Sequence, residues 1–198
     1  MMASRLEQQI TFLLELDKLK QVLRRTRPVG STRYEDSAQH SWHLAMMALI
    51  LTEHADAPVD ANRVLQMVLI HDVVEIDAGD TFLYDVEARR SKQEEERAAA
   101  ERVFGLLPVD QAMHFRELWE EYEARQTPEA QFAYALDRLM PLLQNYHNQG
   151  STWQENGVHK GQVWQLNQPI GEASARLWET AQRVITDAVA QGYLAPQP

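Results

Sequence analysis

Three short stretches concentrate residues able to bind a cation or move a proton. In "AQHSWHLAMM" at 38–47, His40 shares a helical stripe with Leu44, Met47 and Leu51, so it points inward from the first turn of a helix. Such a histidine is either a hydrogen-bonded core residue or a metal ligand, because a buried polar group needs a partner. His43, on the flank of that stripe, and His54 fit the plain structural role. In "HDVVEIDAGD" at 71–80, His71, Asp72 and Glu75 stand within one turn, with His71 and Glu75 on one face at i,i+4. They follow the apolar run Val64–Ile70, and burying two carboxylates beside an imidazole is costly unless a cation or another partner offsets it. A divalent metal would do so; a helix C-terminus open to water would instead leave the acids solvated. The third stretch, "FAYALDRLMPLLQNY", sets Asp137 at the edge of a stripe of Phe132, Leu136, Leu139 and Leu143. The neighbouring Arg138 leaves open that this Asp simply meets solvent.

The chain has no cysteine, which excludes disulfides, thiolate catalysis and Cys-based zinc sites. Any metal must be held by His, Asp and Glu, a donor set that suits a mid-series divalent ion. The formal net charge of −10 opposes binding to a nucleic acid polymer.

These residues need elements to position them, and the apolar spacing predicts helices throughout. They run over Leu6–Val22, from an N-cap at Ser37 to about His54, over 61–72, Ser91–Phe104, Pro108–Arg125, Pro128–Tyr146 and Glu172–Gln191. Residues 61–72, apolar nearly all round, are expected at the centre of the fold. No alternating strand pattern competes, so the fold class is all-α. The 198 residues are read as one domain, a core of about 10–165 with the C-terminal helix 172–191 packing on it. Loops are expected at Arg24–Asp36, Asp77–Arg90 and Asn148–Pro169, where ligand contacts would sit. Pro141 should kink its helix just after Asp137. "KQEEERAAAER" and "LWEEYE" read as a solvated face and a packing stripe without chemistry. Trp153, Trp164 and Trp178 read as anchors of the C-terminal region or of a subunit contact. No apolar run approaches membrane-spanning length, and MMASRLEQQ lacks the order of a signal peptide, so a cytoplasmic protein without a membrane partner is expected.

His40, the pair His71 and Asp72, and the distant Asp137 spell H…HD…D along a helical chain. This resembles the HD-domain superfamily of metal-dependent phosphohydrolases. "EDSAQHSWHLAMMAL", "HDVVEIDAGD", "QEEERAAAERVFGLLP" and "ELWEEYEARQTPEAQFAYALDRL" look like its 5′-deoxynucleotidase subgroup, over roughly residues 10–165. The resemblance implies an HD-type helical bundle with the metal between central helices, held by His40, His71, Asp72 and Asp137, with His43 in support. It implies Glu75 as the residue that orients or deprotonates the attacking water, and Asp80 as an acid or hydrogen-bonding group near the leaving group or sugar. The implied metal is Mn, Co, Ni, Zn, Fe or Mg, and the implied reaction releases phosphate from a small phosphate ester, a (deoxy)nucleoside 5′-monophosphate, by metal-activated water. A homodimer is implied as well.

Among Arg24, Arg25, Arg27 and Arg33, Arg25 falls where the bacterial members of the subgroup have a phosphate-binding arginine. The chain departs from the subgroup at the next position, where Thr26 replaces the usual Trp and removes an indole from the substrate pocket. Two alternatives follow: an HD phosphohydrolase of a different small ester, or a non-catalytic protein binding nucleotide or metal. A di-iron oxygenase would need further bridging histidines, and His114, His147 and His159 lie outside any such motif.

Overall fold

The computed structural model describes residues 3–85 and 92–197. Along the chain run α1 (Arg5–Leu16), α2 (Ser37–Leu51), α3 (Ala61–Ile70), α4 (Glu75–Ala78), α5 (Gln93–Phe104), α6 (Val109–Ala124), α7 (Pro128–His147), α8 (Ser151–Glu155), α9 (Lys160–Asn167), α10 (Ile170–Ala173) and α11 (Ala175–Ala190). The fold is all-α, as the periodicity predicts.

The residues of α7 explain why the others gather on it. Thr127 caps its N-terminus by accepting from the Ala130 N–H, and Pro128 takes a first-turn position where its missing N–H costs nothing. Small and apolar residues then cover nearly every face, so Ala133, Ala135, Leu136 and Met140 are all buried. Helices α2, α3, α6, α9, α10 and α11 pack against it. Pro141 lies within this helix.

Four expectations are corrected. The cap of α2 is Asp36, whose carboxylate accepts from the Gln39 N–H at 2.9 Å, one residue before Ser37. Helix α3 is not buried all round: Val64, Met67, Val68 and Ile70 face the core, but Leu69 is 45% exposed, because α2, α6 and α7 cover only part of its surface. The first helix ends at Leu16 and tightens into a 3₁₀ turn, Asp17–Gln21, before Val22. The expected loop Asn148–Pro169 holds α8 and α9, too short for a sequence period to register. The expected starting residue Ser91 and the loop positions 86–90 lie outside the described residues.

Two turns bring the site together. The segment before α2 folds back on itself through Arg24 N–H to Glu35 O and Glu35 N–H to Thr26 O, each 2.9 Å. After α4, Gly79 takes φ +73°, a conformation side chains resist, and turns the chain so that Asp80 returns toward Arg24. At the C-terminal end, Ser174 separates α10 from α11 and caps α11 by accepting from the Leu177 N–H.

Candidate active site

Each of the three sequence stretches delivers its acidic or imidazole side chains to one place. His40 projects from the first turn of α2. His71 and Asp72 open a 3₁₀ turn, His71–Val74, at the end of α3, and Asp137 sits midway along α7. His40 Nε2 lies 2.9 Å from Asp137 Oδ1. His71 Nε2 lies 3.1 Å from Asp72 Oδ1 and 3.7 Å from Asp137 Oδ1. The donor atoms of His40, His71 and Asp72 all fall within 4.8 Å of one another, and all three residues are buried.

The protonation geometry suits a cation. His71 Nδ1 is 3.0 Å from the Val68 carbonyl oxygen, which only accepts, so Nδ1 carries the proton and donates it. Nε2 is turned toward the carboxylates and is buried without a hydrogen-bond partner among the described residues, and it is the nitrogen that a cation would take as its ligand atom. On the far side of His40, Glu35 Oε2 lies 3.6 Å from Nδ1 and the Glu35 Oε1 accepts from Gln144 at 2.8 Å. At 3.6 Å this Nδ1 has no hydrogen-bond partner among the described residues, and a carboxylate in this place is what would fix the ring and tautomer of a ligating histidine. Two imidazole nitrogens and two aspartates therefore form a set that a divalent ion would fit, with Glu75 and Asp80 alongside.

Arg24 is the cation at the centre of the acidic groups. Its Nη1 lies 2.6 Å from Asp72, 3.6 Å from Asp80 and 3.9 Å from Glu75, and its Nη2 lies 3.9 Å from Asp137. One guanidinium faces four carboxylates, an excess of negative charge. Burial, then the neighbouring Asp72, pushes the Glu75 carboxyl well above the usual carboxylate range despite Arg24. Burial also raises Asp80. For Asp137, burial acts upward but Arg138, His40 and His71 outweigh it and hold the group well below its ordinary value. Glu75 is fixed by the Ser37 hydroxyl, which donates to Oε2 at 2.7 Å. The offset of the α2 cap to Asp36 leaves that hydroxyl free for Glu75.

These groups open onto a cavity of about 510 Å³ whose walls include Phe82, Tyr84, Tyr122 and Tyr134. Arg25 and Thr26 line it too: Arg25 is exposed at its edge with its guanidinium 5.8 Å from the Phe82 ring centre, and Thr26 donates to Glu35 Oε2 at 3.4 Å. Arg27 turns away to Glu155 and Arg33 to Gln39. His43, expected in support, is exposed beside Trp42 and takes no part.

Several residues read as having no chemistry line the cavity. Tyr122, from "LWEEYE", donates to Asp137 Oδ2 at 3.3 Å and sets its ring 5.0 Å from His71. Glu123 follows it into the wall. Arg138, read as a solvent neighbour, is only 8% exposed and bonds Asp137. The i,i+4 pairing of Tyr134 with Arg138 is the one sequence signal that could have found it, since such a ring supports a guanidinium.

Comparison with known proteins adds three findings. The HD domain family matches residues 16–178. The 5′-deoxynucleotidase HDDC2 of Xenopus laevis is 34% identical over 137 residues, 67% of this chain and 67% of its own length. The human 5′-deoxynucleotidase HDDC2 is 32% identical over 112 residues, 57% of this chain and 53% of its own length. The chain thus spans between half and two thirds of these relatives. The crystal structure of a predicted metal-dependent phosphohydrolase from Magnetospirillum magnetotacticum MS-1 superposes with a TM-score of 0.94 at 52% identity, covering 98% of this chain and 97% of the other.

Proposed function

The chain belongs to the HD domain family, and from that premise we propose that it is a metal-dependent phosphomonoesterase that cleaves (deoxy)nucleoside 5′-monophosphates to nucleoside and phosphate. The observation that carries this is the convergence of His71, Asp72, Asp137, Glu75 and Asp80 on the wall of one cavity, with His40 buried directly behind them against Asp137. The curated relatives named 5′-deoxynucleotidase support the choice of ester.

His40, His71, Asp72 and Asp137 would hold the ion. A divalent ion such as Mn, Co, Ni, Zn, Fe or Mg, when bound, acidifies a water and offsets charge on the phosphoryl oxygens. Glu75 takes the proton of the attacking water: burial raises its affinity for that proton, and Ser37 keeps it aimed. Asp80, also raised, stands by the leaving oxygen as proton donor or by the sugar as hydrogen-bonding partner. Arg25 at the cavity edge meets the phosphate, and Phe82 and Tyr84 supply the aromatic wall that Thr26 does not. We propose that the enzyme acts in the cytoplasm as a homodimer. Trp42, Met46, Leu49 and Ile50 form one exposed apolar face of α2 that a second copy would cover.

Phosphate release from ribo- and deoxyribonucleoside 5′-monophosphates and simple sugar phosphates, with manganese or cobalt added, tests this. Release from nucleotides that disappears in Asp72→Ala and Glu75→Ala is expected. No release from any ester while metal stays bound would leave a binding protein instead.

A further inference from the structure

Arg138 follows Asp137 in the middle of α7 and lines the same cavity. Its side chain is 9% exposed and carries three nitrogens able to donate. Only one of them is committed: Nη2 bonds Asp137 Oδ2, while Nε and Nη1 are buried with no hydrogen-bond partner among the described residues. Burying unpaired donors of a charged group costs roughly 1–3 kcal/mol or more, so a native fold keeps them where something else receives them.

The surroundings hold this guanidinium in place without using those donors. Its central carbon sits 4.9 Å from the Tyr134 ring centre, and the Arg125 guanidinium lies 4.0 Å from the same ring. Stacking on a ring fixes the plane of the fork and leaves its edge free. The two oxygens of Asp137 divide the site. Oδ1 faces His40 Nε2 and His71 Nε2, the side on which an ion would sit, and Oδ2 faces Tyr122 and Arg138. Arg138 lines the cavity onto which Asp137 opens, so a rotation of its side chain would bring an uncommitted N–H to an ester phosphate seated beside Asp137. Arg24 cannot supply the same donors, because its fork is turned into Asp72, Asp80 and Glu75.

We propose that Arg138 is a catalytic residue whose uncommitted N–H groups bind a non-bridging oxygen of the scissile phosphoryl group while Nη2 holds Asp137. The inference rests on the phosphomonoesterase function proposed above. Water oxygen bonds to phosphorus, the ester P–O bond breaks, and the leaving oxygen departs protonated as the alcohol. Arg138 stays protonated throughout, and its part is to stabilise charge on the phosphoryl oxygens, which grows most in the transition state. Lysine keeps the charge but not the planar fork, so it cannot hold Asp137 and a phosphoryl oxygen together.

The test compares wild type with Arg138→Lys and Arg138→Met in three measurements: manganese affinity, inorganic phosphate affinity of the manganese-loaded protein by calorimetry, and kcat and KM for the best ester. Expected are a fall in kcat/KM of about 100- to 1000-fold, phosphate binding weakened by about tenfold or more, and manganese affinity changed by less than about threefold. Arg138→Lys keeps the test open if Arg138→Met does not fold. Phosphate binding equal to wild type overturns the proposal. A loss of manganese affinity that accounts for the whole loss of phosphate binding also overturns it, leaving Arg138 to position Asp137 only. If wild type cleaves no ester but binds phosphate through Arg138, the phosphate site stands and the phosphomonoesterase function falls. If wild type neither cleaves an ester nor binds phosphate, both fall.

Discussion

The cluster around His71 and the C-terminal helix α11 are both buried against α7, yet they are buried by opposite means. On α11, Leu177, Ala181, Ile185 and Ala188 recur at helical spacing and fill one apolar stripe, with water on the other face. Each apolar area removed from water there is a net gain of about 25 cal/mol per Å². In the cluster, Asp72, Glu75, Asp80 and Asp137 each sit within ion-pairing distance of Arg24. Taking each such charge out of water costs several kcal/mol, and attraction to a partner recovers it only in part. The fold is therefore carried by stripes such as that of α11, and the charged cluster is held in place at their expense. Stability and function occupy different residues here, and substitutions should separate them.

The largest separation is expected at Asp72. Asp72→Asn removes charge from an oxygen proposed to hold the ion and should lower ester hydrolysis by about a thousandfold or more. It should leave the unfolding free energy of the metal-free protein within about 1 kcal/mol of wild type, because Arg24 keeps Asp80, Glu75 and Asp137 as partners. Denaturant unfolding beside a phosphate-release assay checks both halves. A loss of stability as deep as that of a core truncation would mean the cluster supports the fold after all.

The converse substitution is Ile185→Ala. Ile185 is fully buried on the inner stripe of α11, and trimming it leaves a cavity that should cost about 2–4 kcal/mol. Below its own melting temperature the variant should hydrolyse the ester with kcat unchanged. A fall in kcat per folded molecule would show that α11 reaches the site, and the contrast between the two regions would fail.

The same contrast explains what could be read from sequence. Stripes obey a period, so α2, α6, α7 and α11 are visible in the spacing of their apolar residues, and the inward His40 is visible because it shares a stripe with Leu44 and Met47. The placement of α8 and α9 is not visible, since five and eight residues hold too little of a period. Among charged residues the period misleads. Arg138 and Glu35 look like surface residues by type, and only the assembled fold shows Arg138 stacked on Tyr134 and Glu35 enclosed between Gln144 and His40. Arg24 and Arg25 are neighbours in a basic run, and sequence alone does not say which of them enters the cluster. The backbone pairing of Arg24 with Glu35 turns Arg24 inward and leaves Arg25 at the edge.

The smallest expected effect lies at the edge of the cluster's cavity, where it meets α8. Tyr84 lines the cavity, and its hydroxyl accepts from the indole N–H of Trp153 at 3.2 Å, on the C-terminal side of the chain. Burial pushes the phenol up to about 12, while Trp153 and Arg138 pull it down by less. The folded state thus keeps its proton at pH values where the unfolded chain, ionising near 10, has lost it. Stability is fully present below pH 10 and declines as pH rises from 10 to about 12, by roughly 2–3 kcal/mol from this one group. In Tyr84→Phe that part of the decline is missing. The variant should be less stable than wild type by about 1 kcal/mol at neutral pH, where the Trp153 N–H loses its partner. The gap should then narrow and reverse as the pH passes 11. Unfolding curves that run parallel from pH 8 to 12 would show that Tyr84 is solvated at the cavity wall. It would then belong with the open site and not with the buried apolar side that Trp153 represents.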